Sequence, residues 1–126
     1  MADKIKILIV DDDVFLLDMY SLKFKEAGFQ VEIAQNGEEA IKKIKEVGPK
    51  IILLDIVMPK MDGLETLRQI KKDKIAENTK IVILTNLGQK EDIEKSLRLG
   101  ADDYIVKAHF TPTEVLNKVK ALLAGR

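Results

Sequence analysis

Apolar residues follow two rhythms along this chain, and the rhythms alternate. Short, nearly unbroken runs occur at Ile5-Lys6-Ile7-Leu8-Ile9-Val10, Gln30 to Ala34, Ile51-Ile52-Leu53-Leu54, Lys80 to Leu84 and Asp103 to Val106. Runs of this length, rich in Ile, Val and Leu, predict strands, and Ile51 to Leu54 is continuous enough for a strand buried on both faces. Between them apolar positions recur every three or four residues, as on one face of a helix. The first such stretch runs from Val14 to Ala27 through Leu16, Leu17, Tyr20 and Phe24, and Gly28 closes it. Asn36-Gly37-Glu38-Glu39 opens a second, which passes Ile41 and Ile44 to Glu46 and ends at Gly48-Pro49. The turn Ile56 to Gly63 leads into a third from Leu64 to about Asp73, and Gln89 to Leu99 forms a fourth, stopped by Gly100. Thr111-Pro112-Thr113-Glu114 starts the last with an N-cap, a proline at the first helical position and a capping-box glutamate.

Five strand-helix units predict an α/β fold: a doubly wound, five-stranded parallel sheet with helices on both faces. Five strands fit the flavodoxin-like order 2-1-3-4-5, an order taken over from known folds and not deduced from the pattern. No proline- or serine-rich linker, low-complexity segment or longer repeat interrupts the alternation, so residues 1–126 read as a single domain.

Composition narrows the partners. Twenty-one basic and twenty-one acidic side chains cancel, which argues against a global field drawing the protein onto nucleic acid or an anionic membrane. The absence of cysteine excludes disulfides and thiolate metal sites and suits a reducing compartment. No apolar run is long enough to span a bilayer, and the residues around Met1 to Val10 lack a signal-peptide cleavage region. A soluble, cytoplasmic protein is expected.

The predicted topology concentrates chemistry at one edge of the sheet. Asp11, Asp12, Asp55, Thr85 and Lys107 each end a strand or directly follow one, where open α/β sheets place their ligands. One aspartate of Asp11-Asp12-Asp13 can cap the following helix, but a cap needs only one. Asp55 alone could be a turn-forming aspartate, its side chain bonded to the backbone two residues on. Together the carboxylates repel, and a cation relieves that repulsion. A sparse oxygen ligand set suits Mg²⁺. With an ammonium and a hydroxyl added, these are the parts of phosphoryl transfer onto an aspartate.

The segments ILIVDDD, LLDIVMPKMDG, ILTN and GADDYIVKA, in this order, resemble the receiver domains of two-component response regulators, in particular the chemotaxis-response-protein type. The resemblance runs from Ile5 to about Leu123. It implies a phosphorylation-dependent switch, not an enzyme except in assisting its own phosphorylation and dephosphorylation. Asp55 would accept a phosphoryl group from a histidine kinase or phosphotransfer protein, and Asp11, Asp12, Asp55 and the backbone carbonyl of Val57 would hold Mg²⁺. Thr85 and Lys107 would bind phosphoryl oxygens, and Thr85 with Tyr104 would form the switch. The implied output surface is the fourth helix, fifth strand and fifth helix, acting on a protein target as a monomer or a phosphorylation-dependent dimer. The chain departs from the usual receiver pattern at Lys107-Ala108, where a proline is common, and at Asn86, where a very small residue is common. With no proline at Ala108, a trans peptide is expected there. Val57 and Leu87, two residues after Asp55 and Thr85, cannot position a water, so a long-lived phosphorylated state is expected.

Plainer readings apply to other residues. His109, the only histidine, is a loop side chain; Arg68, Lys71 and Lys72 form a solvated face; Met58 and Met61 pack under the turn after Asp55. A haloacid-dehalogenase-like phosphatase would also use an Asp-x-Asp after its first strand, but it needs an acidic pair after the lysine, and here Asp102 and Asp103 precede it. A flavin module fails because three aspartates would repel the flavin phosphate. A receiver excised from a larger regulator, or a degenerate receiver that is not phosphorylated, remains compatible with the sequence.

Overall fold

A computed structural model describes residues 4–58 and 61–125. The sheet is parallel throughout, with strands β1 (Lys6–Val10), β2 (Gln30–Ala34), β3 (Ile51–Leu54), β4 (Lys80–Thr85) and β5 (Asp103–Val106) in the spatial order β2-β1-β3-β4-β5. The helices are α1 (Val14–Glu26), α2 (Gly37–Val47), α3 (Gly63–Asp73), α4 (Lys90–Arg98) and α5 (Pro112–Leu123). Order, direction and helix count match the sequence reading. The first strand starts at Lys6, one residue later than expected; Ile5 is 41% exposed, although its carbonyl still accepts from the Gln30 amide at 2.9 Å. A single 3-10 turn at Lys107–His109, unmarked in the sequence pattern, joins β5 to α5.

Alternation along the three central strands sorts their side chains to opposite faces. Leu8, Val10, Ile52, Leu54, Ile81 and Ile83 pack under α2 and α3 through Ile41, Ile44, Leu67 and Ile70. Ile7, Ile9, Ile51, Leu53, Val82 and Leu84 face α1 and α5 through Leu17, Phe24, Val115 and Val119. Strands covered on both sides need apolar residues at every position, which is why Ile51 to Leu54 carries no polar side chain.

Caps set where the helices begin, and so aim the loops. Asp13 caps α1, accepting from the Phe15 and Leu16 amides. Asn36 caps α2, Asp62 caps α3, and Thr111 with Glu114 forms a full capping box on α5. Met58 is buried and Met61 half-buried against the α2/α3 side of the core, as expected. Pro59 and Lys60, in the same turn, lie outside the described residues.

The start of α3 is pressed against the end of β3. A Cβ on Gly63 would lie 2.1 Å from the Asp55 carbonyl oxygen and 2.6 Å from the Ile56 Cα, both backbone atoms that cannot swing away. Gly63→Ala should therefore cost about 2 kcal/mol in urea unfolding. Gly88→Ala, whose Cβ would sit 3.5 Å from a Val106 methyl, should cost much less. Equal midpoints for the two variants would show that the β3–α3 approach is not tight.

Candidate functional site

Register brings the site together. Val10 pairs with Leu54 across β1 and β3, so Asp11 and Asp55, the next residues, emerge side by side. The Asp55 amide continues the ladder to the Val10 carbonyl at 3.0 Å. On the other flank Thr85 pairs with Val106, which places Lys107 just past the end of β5. The crevice holds about 330 Å³ and is bounded by Asp11, Asp12, Asp55, Thr85 and Lys107, with Val57, Asn86 and Leu87 at its rim.

Lys107 reaches across this crevice. Its Nζ donates to Asp11 Oδ2 at 2.5 Å and to Asp55 Oδ2 at 2.9 Å, with all three side chains nearly buried. The second oxygen of each carboxylate is used locally: Asp11 Oδ1 accepts from the Asp13 amide at 2.9 Å and Asp55 Oδ1 from the Val57 amide at 3.1 Å. Asp55 is thus a turn-forming aspartate and an ion-pair partner at once. Asp12 is exposed, and ligand oxygens of Asp11, Asp12 and Asp55 lie within 4.8 Å of one another.

Three carboxylates lie together and one ammonium serves two of them. Burial pushes the Asp11 carboxyl above its usual 3.8, and the Lys107 hydrogen bond offsets this only in part because that ammonium is divided between two acids. Burial alone would lower Lys107, but the hydrogen bonds from its ammonium to Asp11 and Asp55 outweigh it and raise the amine above 10.5. Lys107 is accordingly a fixed cation at neutral pH. With all three acids ionised the crevice carries a net charge of about −2. This donor set, oxygen-only and open to solvent at Asp12, fits a hard divalent cation such as Mg²⁺.

Thr85 is buried, and its Oγ1 accepts from the Leu87 amide at 3.5 Å. The Tyr104 hydroxyl donates to the Leu87 carbonyl, so the backbone of Leu87 links the two expected switch residues. Burial, followed by the negative charges of Asp92 and Asp55, pushes the Tyr104 phenol up to about 12. It stays a hydrogen-bond donor at neutral pH.

Other expectations resolve simply. The Lys107–Ala108 peptide is trans. His109, Arg68, Lys71 and Lys72 are exposed. Two features escaped the sequence reading. Tyr20, read as core, is buried close enough to Lys107 and Asp11 for their charges to act on its phenol, whose pKa burial raises first. On α1, Phe15, Met19 and Leu22 form an exposed stripe, Phe15 being 85% and Leu22 60% exposed. Their spacing of four and three, out of phase with Leu17, Tyr20 and Phe24, was the available signal.

Comparison with known proteins accords with this geometry. The family model described as "Response regulator receiver domain" matches residues 7–120. The "Transcriptional regulatory protein CpxR homolog" of Haemophilus influenzae is 42% identical over 118 residues, covering 94% of this chain and 50% of that protein. The "Chemotaxis protein CheY" of Thermotoga maritima is 40% identical, covering 90% of this chain and 96% of that protein. The chain thus spans about half the length of the transcriptional regulators it matches. A CheY-like receiver domain structure from Methanospirillum hungatei superposes with a TM-score of 0.90 at 35% identity, covering 98% of this chain and 96% of that one.

The shared ammonium has a measurable signature in metal-free buffer. Because Asp11 is raised in the folded state, its contribution to stability is full below 3.8 and is lost as pH rises through its folded value. Asp11→Asn should thus unfold later than wild type at pH 7, with the difference closing as pH falls toward 3.8. Lys107→Met, which leaves two buried carboxylates unpaired, should lose about 3 kcal/mol at pH 7. Urea titrations in a chelator check both, and a destabilised Asp11→Asn would show that the pairing outweighs the burial.

Proposed function

Since the chain belongs to the response regulator receiver domain family, we propose that its 126 residues form one receiver unit, phosphorylated on Asp55 by a histidine kinase or phosphotransfer protein in the cytoplasm. The observation that carries this reading is the Lys107 ammonium bridging Asp11 and Asp55, with Asp12 alongside.

In the proposed reaction an Asp55 carboxylate oxygen forms a bond to phosphorus while the bond from phosphorus to the donor's nitrogen or oxygen breaks. The leaving group departs with that electron pair. Asp11, Asp12, Asp55 and the Val57 backbone carbonyl would hold Mg²⁺, which when bound supplies positive charge for the phosphoryl oxygens. Lys107 exchanges its hydrogen bond to Asp55 Oδ2 for one to a phosphoryl oxygen and remains protonated throughout. The Thr85 hydroxyl donates to another. Turning Thr85 toward the phosphoryl group withdraws its oxygen from the Leu87 amide, and the same residue's carbonyl anchors Tyr104. The β4–α4 loop and Tyr104 therefore shift together, which changes the surface of α4, β5 and α5 presented to a protein target. The exposed stripe Phe15, Met19 and Leu22 lies on the helix entering the crevice and suits docking of the protein donor.

Incubation with Mg²⁺ and a small acyl phosphate should add one phosphate, read as intact mass, and Asp55→Asn should add none. Phosphorylation of Asp55→Asn at the wild-type level would sink the assignment. Steady turnover of phosphate monoesters would favour the haloacid-dehalogenase-like alternative instead.

The rim adds a kinetic expectation. Val57 is 57% and Leu87 37% exposed, and neither side chain can orient a water toward phosphorus. Val57→Asn combined with Leu87→Glu should speed loss of the phosphoryl group about tenfold, equivalent to about 1.4 kcal/mol of transition-state stabilisation. The measurement is single-turnover decay after donor removal; equal decay would place control of water elsewhere, at Asn86 or the Lys107 turn.

A further inference from the structure

At the opposite edge of the sheet, where the strands begin, lies a groove of about 680 Å³ that the phosphoryl reaction does not use. Its size is that of a small-molecule site. Four lysines line it, Lys4, Lys6, Lys50 and Lys74, against one acidic residue among the described residues, Glu77. Its floor is apolar, formed by Ile5, Pro49, Ile75 and Ala76. Asn78 brings an amide able both to donate and to accept.

Lysines at this edge have an ordinary role, since they complement the negative ends of the helices. Lys6 fills it, donating to the Val47 carbonyl at the end of α2 at 3.4 Å. Lys4 and Lys50 do not belong to helix ends; they precede β1 and β3. Lys74 stands out for its backbone. It is the single non-glycine residue with positive φ among those described, at 53°, whereas the equivalent position after α2 is Gly48 at 62°. A side chain in that left-handed conformation is disfavoured relative to glycine. That conformation closes α3, the Lys74 amide donating to the Ile70 and Lys71 carbonyls, and it puts Lys74 in the lining of the groove.

From these features we infer that the groove binds a nucleoside polyphosphate. The lysines take the phosphates, the apolar floor takes the base and Asn78 meets the base's polar edge. Concavity and the apolar floor favour this occupant over an extended acidic peptide, which would need charge alone. The site is separate from the Asp55 crevice, so it stands or falls independently of phosphorylation.

Calorimetric titration with ATP in a chelator, which withholds Mg²⁺ from the acidic crevice, tests the inference. ATP should bind saturably, and inorganic triphosphate, lacking the base, about tenfold more weakly. Lys50→Glu should weaken ATP about tenfold and Lys95→Glu, on α4 outside the groove, less than about twofold. Lys74→Gly is the decisive variant because it should raise stability by relieving the backbone while weakening ATP. The inference is overturned by no saturable binding at millimolar ATP, or by triphosphate binding as tightly as ATP. It is equally overturned if Lys95→Glu matches Lys50→Glu, if Lys74→Gly leaves ATP affinity unchanged, or if a polyglutamate peptide binds more tightly than ATP.

Discussion

One buried ammonium divided between two carboxylates is the constraint around which this structure is arranged. Lys107 can satisfy Asp11 or Asp55 fully, but not both along with Asp12, so the crevice keeps an excess of negative charge. Such an arrangement gains little stability, because the ion pairs are offset by the burial of their charges. Its value lies in what it leaves unfinished: a cation can supply the positive charge the protein withholds. The local turns matter equally. By binding one oxygen of each carboxylate to the backbone two residues on, they fix the direction of the other.

The sheet exists, from this viewpoint, to bring distant residues to one edge. Asp11 and Lys107 are 96 positions apart in the chain and touch because β1, β3, β4 and β5 end level with one another. A shift by one residue would exchange the side chains on the two faces, so register rests on how each half of the core fits its own pair of helices. Gly63 carries the same demand into the β3–α3 turn, where backbone meets backbone. Packing energy therefore holds in place a charge arrangement that would not assemble by its own energetics.

Much of this was legible in the sequence because its causes are local. Four unbroken apolar residues before Asp55 report a strand covered on both sides, and Thr111-Pro112-Thr113-Glu114 reports a helix start that the structure reproduces bond for bond. The division of labour in Asp11-Asp12-Asp13 was only half legible. A cap was expected, but that Asp13 supplies it, freeing Asp12, depends on where the first helical turn begins. The strand order had to be borrowed from known folds, since pairing is not written in any single strand. The 3-10 turn at Lys107–His109 left no pattern, and the link from Thr85 through Leu87 to Tyr104 is local at its first bond but tertiary at its second. Net charge was the least informative quantity. Its zero conceals an acidic crevice at one edge and a lysine-lined groove at the other.

The central claim is that the crevice is a charge-unbalanced site completed by a divalent cation. Thermal unfolding with increasing Mg²⁺ tests it most directly, because a ligand that binds only the folded state raises the midpoint by mass action. The account predicts a saturable rise for the wild type, over about 1 to 20 mM for a weak site, and its loss in Asp12→Asn, which removes the exposed carboxylate but neither ion pair. A wild-type midpoint indifferent to Mg²⁺, or an Asp12→Asn variant that responds as the wild type does, would contradict it.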